Sequence, residues 1–150
     1  MTSSAASFPN ARTLVMRRSD RINNQIEFHT DTASSKMLVL EENPRAGIHI
    51  WLPKVNLQIQ MDVVVEIKTG EITIPYWKNV QTNSRTAYGT IRSPGSVIES
   101  PISYEYSPDQ KRFAVLICHI QSIQLLLLGD KHIRAKFKKE TNWQGEWLSP

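Results

Sequence analysis

The segment Val55 to Lys68, VNLQIQMDVVVEIK, restricts the fold more than any other part of the chain. Val55, Leu57, Ile59, Met61, Val63, Val65 and Ile67 are apolar. Asn56, Gln58, Gln60, Asp62, Glu66 and Lys68 lie between them, and Val64 alone breaks the alternation. Extended backbone sends successive side chains to opposite faces, so this is a strand with one apolar and one polar face. At about 3.3 Å per residue it spans roughly 45 Å, well beyond a typical strand. A strand of that length belongs to a sheet that curves, with a bulge expected where Val64 interrupts the pattern.

The flanking sequence predicts more strands. Lys36 to Glu41 and Ile48 to Leu52 precede the long strand, with a turn over Glu42 to Gly47 between them and Pro53 as a stop. Gly70 suits a tight turn, after which Glu71 to Tyr76 returns antiparallel. Ala87 to Arg92 and Val97 to Tyr106 read as short strands. Ser107-Pro108-Asp109-Gln110 fits either a helix start or a type I turn. The aromatic and β-branched flanks ISYEY and RFAVLICHI favour the hairpin. Gly129-Asp130 then turns the chain into Lys131 to Lys138. About nine short strands separated by turn signals describe an all-β domain: a single antiparallel β-sandwich, jelly-roll or partly closed barrel. The expected organisation is a flexible basic arm over 1–35, a β-rich domain over 36–140 and a Trp-containing tail over 141–150.

The sequence carries no recognisable catalytic apparatus. Gly89 and Gly95 lack the Lys-Ser/Thr of a phosphate-cradling loop. No Gly-x-Ser-x-Gly elbow presents a nucleophile, and no His-Glu-x-x-His pairs two imidazoles on a helix. Cys118, the single cysteine, sits in an apolar run and reads as a buried structural thiol in a reducing compartment. His119 reads as a hydrogen-bonded core residue. Asp62 and Glu66 are roughly 13 Å apart along the strand, too far for paired acid–base work. The expectation is therefore no enzyme, no metal and no cofactor.

Positive charge is the remaining signal, with a formal net charge of +4. Arg17, Arg18 and Arg21 lie in the N-terminal arm. His132, Arg134, Lys136 and Lys138 share one face of the last expected strand, with Lys131 and Lys139 at its ends and Trp143 and Trp147 beyond. Their spacing of about 6.6 Å resembles that of phosphates along a nucleic-acid strand, and suits acidic headgroups equally well. The same lysines also protect an edge strand from aggregation. An arginine-bearing arm, a compact β domain and a basic face are similar to small viral coat and matrix proteins. That resemblance implies a non-enzymatic structural protein that forms homo-oligomers and binds RNA or an anionic membrane surface. The alternative is an interaction domain that meets other proteins through a strand edge. The expected location is intracellular and cytoplasmic, or the virion or inner membrane face for a viral protein.

Overall fold

The computed structural model describes residues 10–150. Seven strands form one antiparallel sheet: β1 (Met16–Asp20), β2 (Gln25–Asp31), β3 (Arg45–Leu52), β4 (Leu57–Lys68), β5 (Phe113–Leu127), β6 (Ile133–Lys138) and β7 (Gly145–Leu148). The order is β1-β2-β5-β4-β3, with β6 also on β5 and β7 on β6. The all-β antiparallel architecture read from the alternating pattern is the one observed.

The long strand is β4, which starts at Leu57 because Pro53–Val55 form a 3₁₀ turn before it. Its partner β5 is longer still, at 15 residues. One edge of β5 pairs with β4 along nearly its whole length. The other edge is divided. β2 takes Phe113 to His119, and β6 takes Ser122 to Leu127. The register irregularity falls at the changeover, between Asp62 and Val63 on β4, where Ser122 and Ile120 are the successive partners. The bulge is thus close to Val64, but its extra residue, Gln121, belongs to β5.

The two faces of β5 explain its unbroken apolar run. Ala114, Leu116, Cys118 and Ile120 join Ile26, Phe28, Met61, Val63 and Val65 in the main core. Phe113, Val115 and Ile117 point the other way, against Tyr76, Trp77, Val80 and Tyr88. A strand covered on both sides has no polar face to display. Cys118 is buried, and desolvation pushes its thiol pKa up to about 12.

Several expected elements differ. Lys36 to Glu41 is not a strand but helix α1 (Lys36–Glu42). Met37 and Leu40 are buried while Leu38 is exposed, which is helical spacing rather than alternation. Glu71 to Tyr76 forms a 3₁₀ turn running into helix α2 (Ile74–Asn79), with Pro75 in the first turn where its missing N–H costs nothing. The expected strands at 87–92 and 97–106 reduce to one bridge between Thr90 and Tyr106. Much of the expected arm belongs to the sheet, since β1 and β2 lie within residues 1–35 and Ile26 and Phe28 are core; residues 1–9 lie outside the described residues. The tail contributes β7, and Trp143 packs on the main core.

His29 on β2 faces the second cluster, its ring 4.8 Å edge-on to Phe113. Its Nε2 lies 2.8 Å from Glu27 Oε1, and its Nδ1 is buried without a partner. Desolvation lowers its pKa; Glu27 opposes that and nearby Arg17 reinforces it.

Two consequences are measurable in urea. Phe113 is fully buried, so Phe113→Ala should cost about 3–5 kcal/mol. Trp147 is 80% exposed, and Trp147→Ala should stay within about 0.5 kcal/mol. Equal effects would contradict this assignment of the core. The second concerns pH. The unfolded chain binds a proton at His29 more tightly than the folded chain does, so stability falls as pH drops from the ordinary histidine range toward the lowered value. His29→Gln keeps a hydrogen-bonding group for Glu27 and should flatten the stability profile between about pH 5 and 7; an unchanged slope would assign the titration elsewhere.

Candidate anion-binding site

Strand β2 ends at Asp31, and a short turn carries the chain into α1. The turn is held by Ser34 N–H donating to Asp31 O and Met37 N–H donating to Ser34 O. It brings three polar side chains together. Lys36 Nζ donates to Thr30 Oγ1 and to Ser34 Oγ, each at 2.6 Å. Thr30, Ser34 and Lys36 are all buried.

Burying an ammonium without a counter-ion is costly. Lys36 makes no ion pair among the described residues. Its pKa is lowered, first by desolvation and then by the positive charge of Arg12, while Asp31 pulls it back up. Arg12 itself is exposed, and its charge is felt at Lys36.

The chemistry of these groups fixes what they can hold. Both hydroxyl oxygens already accept from Lys36, so their own hydrogens remain for an outside acceptor. Lys36 keeps a third N–H, and Arg12 offers only donors. Two cations and two hydroxyl donors repel a metal ion and fit an oxyanion such as a phosphate monoester. No cluster of His, Cys, Asp or Glu among the described residues could hold a metal.

Asp31, next to Thr30, turns away from the pocket. Its Oδ1 accepts from Ala33 N–H and from Arg112 Nε and Nη2, and its Oδ2 accepts from Gly89 N–H at 2.9 Å. Arg112 Nη2 reaches both oxygens at 3.0 Å.

The basic residues singled out by sequence are elsewhere. Arg17 and Arg18 lie on exposed β1, with Arg18 paired to Asp20 at 3.3 Å, and Arg21 follows in the turn. Lys131 and His132 are in the exposed β5–β6 turn. Arg134, Lys136 and Lys138 do share a face of β6, as their alternation requires. Lys136, Lys138 and Lys139 border an open groove with Asp62, Gln121, Ser122 and Glu140. Acidic groups interrupt this ladder: Lys136 is opposite Glu146 on β7, and Lys138 lies 3.3 Å from Glu140. Trp143 is packed inward and Trp147 is exposed. No hydrogen bond or ion pair among the described residues joins the N-terminal arginines to β6. Asp62 accepts from Ser122 Oγ and Glu66 meets His119 Nε2 at 2.9 Å, so neither carboxylate faces the other.

Sequence reasoning missed Thr30, Ser34 and Lys36 because they match no glycine-loop pattern. The available signal was the hydroxyl-rich run TDTASS ending in a lysine that is followed at once by Met-Leu-Val-Leu.

The sequence profile described as "Pyridoxamine 5'-phosphate oxidase, FMN-binding domain" matches residues 1–68, which include Arg12, Thr30, Ser34 and Lys36. A Caenorhabditis elegans protein named "Putative pyridoxamine 5'-phosphate oxidase" is 41% identical over 58 residues. That match covers 39% of this chain but only 26% of the relative. Among solved structures, an FMN-binding protein of Nostoc punctiforme related to pyridoxamine 5'-phosphate oxidase superposes with a TM-score of 0.84. It is 25% identical, over 99% of this chain and 85% of its own. PhzG of Burkholderia lata, solved with tetrahydrophenazine-1-carboxylic acid, has the same fold at a TM-score of 0.80 and 15% identity, over 99% and 79%. These findings overturn the reading as a non-enzymatic viral coat- or matrix-like protein binding RNA or a membrane. They also remove the ground for placing it in a virion. No helix among the described residues is long and apolar enough to cross a membrane. Across nearly all its length the chain shares its fold with an FMN-binding protein related to pyridoxamine 5'-phosphate oxidase, and the Thr30, Ser34 and Lys36 cluster lies inside the segment that matches the flavin-domain profile.

Proposed function

We propose that this chain binds flavin mononucleotide and belongs to an oxidoreductase. The observation that carries the reading is the Lys36 ammonium, buried beside Thr30 and Ser34 without an ion pair. A terminal phosphate supplies the negative charge that this site lacks, and Arg12, whose charge is felt at Lys36, shares the load. The likeness to FMN-binding structures and the match to the flavin-domain profile support the same cofactor. Bound there, the isoalloxazine would accept or donate electron pairs in the oxidation of a small organic substrate. The chain's own part is to fix the phosphate end. Thr30 and Ser34 orient its oxygens, Lys36 and Arg12 balance its charge, and the packed β2–α1 turn holds all of them still. The names of the relatives favour oxidation of a phosphorylated amine such as pyridoxamine 5'-phosphate as the reaction.

Self-association is a second proposal, carried by a separate surface. Leu52, Leu57, Leu127 and Ile133 are successive partners across β3, β4, β5 and β6. Leu57 is half-buried, while Leu52, Leu127 and Ile133, with Trp51 and Val55 nearby in sequence, leave an exposed apolar rim at one end of the sheet. A second copy of the chain would cover it.

Titration of FMN against the purified chain, followed by flavin fluorescence, tests the cofactor. Lys36→Met keeps the length and removes the charge, and should weaken binding about 10- to 100-fold. Its urea stability should hold or rise, because a buried unpaired cation is gone. Lys78→Met, at an exposed position of α2, should bind as the parent does. Saturable binding that ignores Lys36→Met would disprove the pocket, and no binding would disprove the cofactor. Sedimentation velocity over a concentration series tests the rim: Ile133→Lys should shift the chain to monomer, and a parent that is monomeric throughout would refute self-association.

A further inference from the structure

Residues 88–109 form no helix and no strand, only the bridge between Thr90 and Tyr106. Within this excursion a serine is followed by proline three times, seven residues apart: Ser93-Pro94, Ser100-Pro101 and Ser107-Pro108. Ser149-Pro150 lies outside it. Proline after a hydroxyl residue matters to an enzyme that modifies the hydroxyl. Pro has no N–H, so a cleft that offers no acceptor at that position selects it over other residues. It also disfavours helical backbone at the serine before it and leaves the extended form that such a cleft holds.

The fold separates the three serines. Ser93 is exposed and opens a tight turn, closed by Ser96 N–H donating to Ser93 O at 3.1 Å. Pro94 and Gly95, whose φ is +92°, occupy the two central positions as a type II turn requires. A Cβ at Gly95 would meet nothing within 4 Å, and Val97 is 90% exposed, so this turn stands out into solvent. Ser100 is half-buried, and its Oγ lies 2.6 Å from Ser103 Oγ. Ser107 is exposed, but its backbone is pinned. Its N–H donates to Gly89 O at 2.8 Å, Asp109 N–H donates to Tyr88 O at 3.2 Å, and Ser107 O leaves no room for a Cβ at Gly89. Drawing Ser93 into an extended groove opens one turn, whereas drawing Ser107 in tears the base of the excursion apart.

We propose that Ser93 is a phosphorylation site for a proline-directed serine kinase. The γ-phosphoryl group of MgATP passes to Ser93 Oγ. The Oγ–P bond forms as the bond from the γ-phosphorus to its bridging oxygen breaks, ADP leaves, and the hydroxyl proton goes to the kinase's carboxylate base. The product carries a charge of about −2 beside Arg92. No lysine or arginine lies between Ser93 and Gln110, while Glu99, Glu105 and Asp109 do, so Arg92 is the neighbour that can answer the new charge. Its Nη1 donates to Val97 O at 3.3 Å, a weaker hold than a charge-assisted bond to phosphate. Phosphorylation therefore draws Arg92 from Val97 and rearranges the tip of the excursion.

The test incubates the full chain with MgATP and a cyclin-dependent kinase, and separately with a mitogen-activated kinase, and locates the phosphate by tandem mass spectrometry. Ser93 should be filled first, about tenfold or more faster than Ser100 and Ser107. Pro94→Ala restores an N–H that the kinase cleft cannot satisfy and should slow phosphorylation of Ser93 about tenfold. Trypsin cleavage between Arg92 and Ser93, both exposed, should be slowed about fivefold or more in the phosphorylated chain, with cleavage after Arg21 in the β1–β2 turn as the reference. Phosphate on Ser107 as early as on Ser93 would overturn the assignment, and so would a Pro94→Ala chain modified at the parent's rate. Unchanged trypsin cleavage after phosphorylation would overturn the pairing with Arg92. No phosphate on Ser93 with either kinase would remove the site.

Discussion

Backbone hydrogen bonding of β5 is the constraint on which the structure depends. A 15-residue strand with its first half buried on both faces cannot leave its N–H and C=O groups to water. β4 serves one edge throughout. On the other edge β2 stops at His119 and β6 begins at Ser122, so Gln121 is where the partner changes. Asn24, in the turn before β2, accepts from Ile120 N–H and closes the gap. The N-terminal and C-terminal parts of the chain are thereby fastened to one strand, end to end. The Thr30–Ser34–Lys36 cluster hangs from this arrangement, because β2 must be fixed before Thr30 and the turn to α1 have a defined position.

Much of this was legible. The period-2 pattern of Leu57 to Lys68 survives in the structure, and so does the preference for strand over helix after Gln110. The failures share a cause. Lys36–Glu42 and Ile74–Asn79 are short apolar segments in which helix and strand periodicities cannot be told apart, and tertiary packing decides. Residues 16–31 looked like an arm because Gln25, Glu27, His29 and Asp31 alternate with Ile26, Phe28 and Thr30, and a polar composition hid a buried strand. Glu27 and Asp31 are buried, Glu27 hydrogen-bonded to His29 and Asp31 paired with Arg112. Arg112 lies 81 residues from Asp31, a pairing that no local reading can find.

The site was illegible for a different reason. Catalytic motifs are recognised when several reacting groups sit at fixed spacing. A domain that grips a cofactor and leaves the chemistry to it needs only an oxyanion cradle, and in the proposed reading that cradle is two hydroxyls, a lysine and a flanking arginine. The visible cluster of charge on β6 attracted attention because it was exposed and regular. The informative cation was the concealed one, since a buried charge has to be compensated and an exposed one does not.

The single thiol offers a view of the sheet from inside. Cys118 faces the main core where β2, β4 and β5 run side by side, opposite Ile26 on one neighbour and Val65 on the other. With its pKa held near 12 by burial, it is inert while these strands stay together. A thiol reagent can reach it only after two neighbouring ladders have parted. Its labelling rate is therefore a built-in clock for the opening of the sheet's centre, one that runs without any engineered probe and counts only the rare events in which the middle of the molecule comes undone.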